Sequence, residues 1–595
     1  MKTIPKRQEI DNQYKWAVND LYATDEQWEK DYEKALKLAD EPCSYKGKMS
    51  DSEANFYNAL KESDDTDFLI ENVYVYAFMK YYEDTTNPKY QELSGKAQTA
   101  MVKLSEKYSF MVPEILAMDK ETIDTFMENP KINHYKHMIM DILSKKEHSL
   151  SEKEEVLLAK AGNMSDVAKD VFSKFNNSDV KFGVIEDEKG REVELSHGNY
   201  AVFMESSNRR VRKDAFKALY KQYESHANTL AAAYYGNVKQ AMFFAETRNY
   251  DSTLEMYLSG SFIPVSVYKN LIETVNKNLT SMHEYVSLRK RELCVDELHF
   301  YDIYAPMVKD VKMEISYDKA KEIVLDALKP LGEDYVNQVR EGFNSGWVDV
   351  YENVGKRNGA FSWGAYGTHP YIFLNYTETL NDVFTLIHET GHAMHTWYSN
   401  NNQDYTYAGY RIFVAEVAST CNEAILIKYL LDKCTDDKER HYLINHYLEQ
   451  FKGTLFRQTM FAEFEMESHR LAEEGKILNA ELLNNLYREL NEKYFGPDMV
   501  IDDEIALEWS RIPHFYTPFY VYQYATGFSA AIAIATKILA GDKETLEGYK
   551  MFLSGGSSLH PIELLKLCGI DMSKPQVIQD ALDVFAELVR NWDNF

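Results

Sequence analysis

Fourteen prolines in 595 residues leave this chain few places where a helix must stop. Between them, apolar residues return at spacings of three and four among charged ones, as over Asp25–Leu38, Glu152–Phe172 and Arg210–Ala232. Side chains three and four apart share one face of a helix, so the spacing predicts a mainly α protein. Three stretches depart from this period. Val180–Leu195 reads as two short strands about Asp187-Glu-Lys-Gly190, a composition suited to a hairpin turn. Tyr371–Tyr376 is a β-prone run, and residues 299–307 read as irregular. No internal repeat or low-complexity tract is visible. A domain seam is expected beside the hairpin, with an N-terminal helical domain over 1–197 and a domain carrying the chemistry over 198–595.

The formal net charge is −28, which repels nucleic acid and anionic membranes and argues against both as partners. The five cysteines, Cys43, Cys294, Cys421, Cys434 and Cys568, are scattered, odd in number and free of C-x-x-C pairing. Reduced thiols are the simpler account. The start is basic but runs into polar Gln8-Glu-Ile-Asp-Asn12, unlike a signal peptide. The most apolar run, near Ala530–Ala540, is broken by Lys537 and too short for a bilayer. A cytoplasmic protein is expected, with its oligomeric state open.

The segment Leu380–His395 contains His388-Glu389-Thr-Gly-His392. On a helix, residues four apart stand one turn above the other, so both imidazoles can reach one zinc ion. Glu389 then points near the open metal position, where it can take a proton from water. Chance would give roughly 0.03 such matches in a chain of this composition. A catalytic zinc takes three protein ligands, so a third must come from elsewhere. Glu416 is 24 residues beyond His392, and one straight helix would carry it about 36 Å away. The chain must therefore turn back, and polar Ser399–Asp404 supplies a place to do so. Val414, Ala415, Val417 and Ala418 surround Glu416 with apolar residues, where an unpaired acid is costly and a metal is a suitable partner. Glu423, two turns on, has the right face to orient a ligand histidine, and an exposed acid is an equal reading. His395 shares the zinc face but lacks the longer spacing of a third histidine ligand. It is expected to pack behind the ligands or touch substrate.

Gly355-Lys-Arg-Asn-Gly359 leads into Tyr371–Tyr376. Its glycines suggest close backbone approach, and the strand that follows can offer its edge to an extended peptide. Gly359, Tyr371 and Tyr376 are therefore candidate substrate contacts. His514, Tyr516, Tyr520 and Tyr522 lie in one aromatic segment that ends at Gly527. Negative charge on the carbonyl oxygen during attack needs donors, and the motif helix offers only Glu389. Tyr520 and Tyr522 are the preferred donors, then Tyr516 and His514, with Gly527 as a hinge.

Taken together with Tyr14-Lys-Trp-Ala-Val-Asn-Asp-Leu-Tyr22, Phe413-Val-Ala-Glu-Val-Ala-Ser419, Arg511-Ile-Pro-His-Phe-Tyr516 and Leu553–Asp571, these motifs resemble the oligoendopeptidase F branch of the thimet-oligopeptidase-like zinc metallopeptidases. The resemblance runs over essentially the whole length. It implies a bilobed helical molecule with a deep substrate channel and a small β element beside the active-site helix. It implies one zinc per chain on His388, His392 and Glu416, with Glu389 as base, and internal cleavage of short peptides. In the mammalian-type members the residue four before the first ligand histidine is an acid. Here that residue is Phe384, which leaves Glu423 as the candidate partner of His388. The rival readings are a zinc exopeptidase and a catalytically silent peptide-binding protein.

Overall fold

Helices account for most of the chain, as the spacing predicts. The structure, a computed structural model, describes residues 4–41, 43–162, 164–308, 311 and 313–595. It divides into two compact units, each built from three separated segments. The first comprises Met1–Glu147, Lys312–Leu426 and Ile534–Gly569, and the second His148–Val311, Ile427–Ala533 and Ile570–Phe595. The single cut expected near residue 197 does not separate these units. Two of the real crossings fall inside the helices Ile412–Lys433 and Tyr522–Leu539, where no linker composition marks them.

In the first unit, Asp25–Asp40, Glu53–Glu83 and Pro88–Tyr108 pack on one another. Each starts at a polar residue, Thr24, Ser52 or Asn87, whose side chain accepts a backbone N–H of the first turn. Their apolar faces enclose Trp28, Val73, Tyr76 and Met79, and the same core takes in Trp16, Tyr371 and Phe373. Tyr371–Phe373 is the middle strand of a three-stranded sheet. It runs parallel to Val348–Asp349, in register Val348↔Ile372, and antiparallel to Phe361–Trp363, in register Ser362↔Ile372. This corrects the expectation that Tyr371–Tyr376 offers an edge to peptide. An apolar run without alternation marks a strand buried on both faces, and Tyr371, Ile372 and Phe373 are all buried. Tyr371 donates to Ala17 O (3.3 Å) and Tyr376 to Ile315 O (2.9 Å), so both phenols are used inside the unit. The outer strand is Phe361–Trp363, whose residues are half-buried. On the other side of the sheet, Val350 N donates to Tyr14 O and Ala17 N to Gly346 O. Asp349, fully buried, accepts from Arg7 and from Lys356 Nζ (2.7 Å), so Lys356 of the Gly355-Lys-Arg segment is a structural pin.

In the second unit, Val184–Glu186 pairs antiparallel with Glu192–Glu194 as predicted. Asp187 Oδ1 accepts the N–H groups of Lys189 and Arg191, and Gly190 takes φ +74°. Leu298–His299 makes a two-residue parallel pairing with Met499–Val500, followed by a 3-10 turn over Phe300–Asp302, in keeping with the irregular reading of 299–307. All five cysteines are free thiols. Among the described residues, no helix is long and apolar enough to cross a membrane.

Candidate metal centre

The helix Leu380–Asn402 begins in a capping box. Thr379 Oγ1 accepts Asp382 N–H (3.3 Å), and the Asp382 carboxylate accepts Thr379 N–H (2.9 Å). The helix continues through Ser399 and the asparagines to Asn402, and the chain turns only at Gln403 and Asp404. Asn401 and Asn402 stay helical by donating to the carbonyls four residues back. The chain then returns as Ile412–Lys433.

The two helices meet closely at Gly391. A Cβ built there would lie 2.5 Å from Ser419 Cα and 2.7 Å from Ala418 O. Asn422 adds a tie, donating to Ile387 O (3.3 Å) and to the Tyr335 phenol (3.2 Å). This approach brings Glu416 over the histidine face. Its Oε2 lies 3.4 Å from His388 Nε2 and 3.4 Å from His392 Nε2. All three donor atoms lie within 4.8 Å of one another. Donors on a tetrahedral cation at about 2.1 Å stand about 3.4 Å apart, so the trio fits such an ion with little movement. The structure thus brings together His388, His392 and Glu416 as the sequence suggested.

The surroundings suit a dication. Burial works against charge on His388, yet Glu423, Glu389 and Glu416 outweigh it and lift its pKa to about 9. Burial also opposes the Glu416 carboxylate, but His392 and His388 hold its pKa down at about 2. Ser419 Oγ donates to Glu416 Oε2 (3.0 Å) and fixes its rotamer. The Glu423 carboxylate meets His388 Nδ1 at 2.5 Å, which aims Nε2 at the site. Glu423 therefore takes the orienting place that Phe384 cannot fill. Glu389 is buried, its pKa pushed up by that burial, and its Oε2 has no hydrogen-bond partner. His395 is not a ligand. It is buried, stacks on Tyr410 with ring centroids 3.7 Å apart, and is held neutral by burial with a pKa of about 3.

The remaining candidates divide. Gly359, at φ +92°, lines a groove with Ala360, Asn375, Asp382 and Thr385 at the start of the motif helix, and its carbonyl accepts from Asn375. In the second unit, Tyr516 is buried and stacks on Phe172 (4.5 Å), and Tyr522 is buried against Tyr268 (4.9 Å). Both belong to the aromatic core, contrary to the expectation that they reach substrate. Tyr520 is half-exposed and stacks parallel to the exposed His514 at 6.1 Å, with Tyr524 edge-on to both. Gly527 lies inside the helix Tyr522–Leu539, so it is no hinge. Phe519 makes the local turn, at φ +56° with its N–H donated to buried Glu465 (3.0 Å). Sequence reasoning missed Gly391, Asn422 and Ser419. Only Gly391 carried a signal, since glycine inside a helix costs about 1 kcal/mol and needs a reason.

A model of peptidase family M3 matches residues 202–584, and a model described as oligopeptidase F matches residues 114–182. The chain belongs to peptidase family M3. As a member it is a metalloendopeptidase. It is 47 % identical to oligopeptidase PepF of Bacillus subtilis over 98 % of this chain and 87 % of that one. It is 42 % identical to the group B oligopeptidase PepB of Streptococcus agalactiae, over 99 % and 98 %. Among solved structures it is similar to oligoendopeptidase-F from Enterococcus faecium, with 39 % identity, 96 % and 99 % coverage and a TM-score of 0.75. A solved peptidase chain from Chlamydophila abortus aligns over all of both chains at 32 % identity and a TM-score of 0.94.

Proposed function

We propose that this chain is a zinc-dependent endopeptidase that hydrolyses internal bonds of short peptides. The observation that carries the reading is the 3.4 Å separation of Glu416 Oε2 from both imidazole nitrogens, beside a buried carboxylate oxygen of Glu389 that has no partner. Zinc held by His388, His392 and Glu416 would supply the Lewis acid that polarises the scissile carbonyl and acidifies the attacking water. Glu389 is the base. Burial raises its pKa toward that of a group which can take a proton and give it back, and the departing amine needs one. Glu423 keeps the His388 proton on Nδ1 and Nε2 free to ligate. Phe361–Trp363, the outer strand of the sheet packed against the motif helix, gives an extended peptide a backbone ladder to join. The relatives named as oligopeptidases and oligoendopeptidases support the choice of short peptides.

Glu389→Gln keeps size and hydrogen bonding but loses basicity. Near-complete loss of turnover is expected with the parent's zinc content retained, measured by metal analysis beside peptide cleavage. The parent is expected to cut a short peptide blocked at both ends. An active Glu389→Gln protein, or a parent that needs a free terminus, would overturn the reading.

A further inference from the structure

Elsewhere in the first unit, the helix Lys136–Ser144 carries His137 and Asp141 four residues apart, the spacing that also aligns His388 with His392. His560, the residue capping the start of Pro561–Leu567, closes on this pair. Its Nε2 lies 2.8 Å from Asp141 Oδ1, and its ring centroid is 4.8 Å from that of His137. His137 Nε2 stands 3.9 Å from Asp141 Oδ2, and that nitrogen is buried without a hydrogen-bond partner. One nitrogen from each histidine and one Asp141 oxygen all lie within 4.8 Å of one another, a convergence otherwise found among the described residues only at His388, His392 and Glu416. The two rings face different oxygens of Asp141, at 2.8 Å from Oδ1 and 3.9 Å from Oδ2, each a small shift from the ~3.4 Å between donors on a tetrahedral cation.

Arg411 donates to Asp141 Oδ2 at 2.5 Å. The ion pair accounts for Arg411 and the 2.8 Å hydrogen bond for His560, but neither gives His137 Nε2 a hydrogen bond, and a buried ring nitrogen without one is costly. A metal gives that nitrogen a bond.

We propose that His137, Asp141 and His560 form a second metal site, separate from the catalytic centre, for a borderline first-row dication of the zinc class. Two imidazoles and one carboxylate are a ligand set that such ions accept, with water in the fourth place. Binding displaces the proton shared between His560 and Asp141. The ion would tie Lys136–Ser144 to Pro561–Leu567 and, through Arg411, to the residue just before the helix that carries Glu416. Its role is therefore structural support.

The test is stoichiometry and melting. The parent is stripped with a chelator, dialysed against a small excess of zinc and freed of unbound metal by gel filtration. Two equivalents per chain are expected. His560→Gln, a change at a partly exposed cap, is expected to hold one equivalent and keep peptide cleavage, which shows that it is folded. A rise in melting temperature between the first and second equivalent is expected in the parent and not in His560→Gln. The paired change His388→Gln/His392→Gln is expected to hold one equivalent without activity, which separates this site from the catalytic reading. A parent saturating at one equivalent would overturn the proposal, as would a His560→Gln protein that still holds two.

Discussion

Gly391 stands between His388 and His392, where the motif admits any residue. A methyl group there would lie 2.5 Å from Ser419 Cα and 2.7 Å from Ala418 O, both backbone atoms that cannot swing aside. Gly391→Ala is helix-favouring by about 1 kcal/mol in isolation. Here it must push the helix Ile412–Lys433 away, at an overpacking cost of about 1–3 kcal/mol. Glu416 rides on that helix, so its Oε2 would leave the 3.4 Å positions. Gly391→Ala is therefore expected to fold, melt a few degrees lower and bind metal more weakly, read by competition with a chromophoric chelator. Unchanged metal affinity would show that the close approach is incidental. The candidate trio was legible in the sequence because helical spacing alone places His388 and His392 together and an acid in an apolar stretch needs a partner. Gly391, Ser419 and Asn422 were not, because their roles exist only once a second helix lies against the first. His395 shows the converse. Its spacing put it on the right face, but only packing shows that Tyr410 covers it.

The three-stranded sheet beside the motif helix rests on Asp349, which is buried with Arg7 and Lys356 around it. Burial pushes the Asp349 carboxyl pKa up, and the two cations outweigh it, so it ends below the ordinary value. Asp349→Asn leaves buried cations short of a counter-charge and is expected to cost about 3–5 kcal/mol at neutral pH. The sign of the pH effect follows from the depressed pKa. The stabilisation is complete above the unfolded value near ~4 and is lost as pH falls through the folded one. Parent and variant should thus differ most near pH 7, and the gap in urea midpoints should close in acid. A constant gap down to the acid limit would count against an ionised Asp349. The same sheet shows where element reading stops. A run of apolar residues announces a strand but not whether it lies at the middle or the edge, because that depends on which segments pair beside it. The aromatic segment poses the same problem. Tyr516 and Tyr522 face inward and Tyr520 and His514 outward, so Tyr516→Phe and Tyr522→Phe are expected to change stability by about 1 kcal/mol, read from urea midpoints, and Tyr520→Phe to leave it unchanged. Equal midpoints for all three variants and the parent would show that the two buried phenols add nothing to the core.

Each compact unit draws on three separated stretches of chain, and this sets what part of the molecule can stand alone. A seam at residue 197 would let a fragment over 198–595 fold and bind metal, since it contains His388, His392, Glu416 and Glu423. The packing argues otherwise. In the first unit, Trp16 stands edge-on to Tyr371 (6.1 Å) and tilted on Phe373 (5.1 Å), while Trp28, Val73 and Tyr76 complete the same core. Removing residues 1–197 strips that face from the sheet, and the sheet is what the motif helix packs against. It also removes Arg7 from Asp349. Losing several buried aromatic and aliphatic side chains at about 1.5–3 kcal/mol each exceeds the ~5–15 kcal/mol that holds a typical native state together. The 198–595 fragment is therefore expected to be aggregated or molten, to bind the hydrophobic dye ANS, and to retain no stoichiometric metal. Co-expression with the 1–197 fragment is expected to recover soluble, metal-binding protein, because the missing face is supplied in trans. A lone 198–595 fragment that melts cooperatively and holds metal at the parent's affinity would restore the single seam.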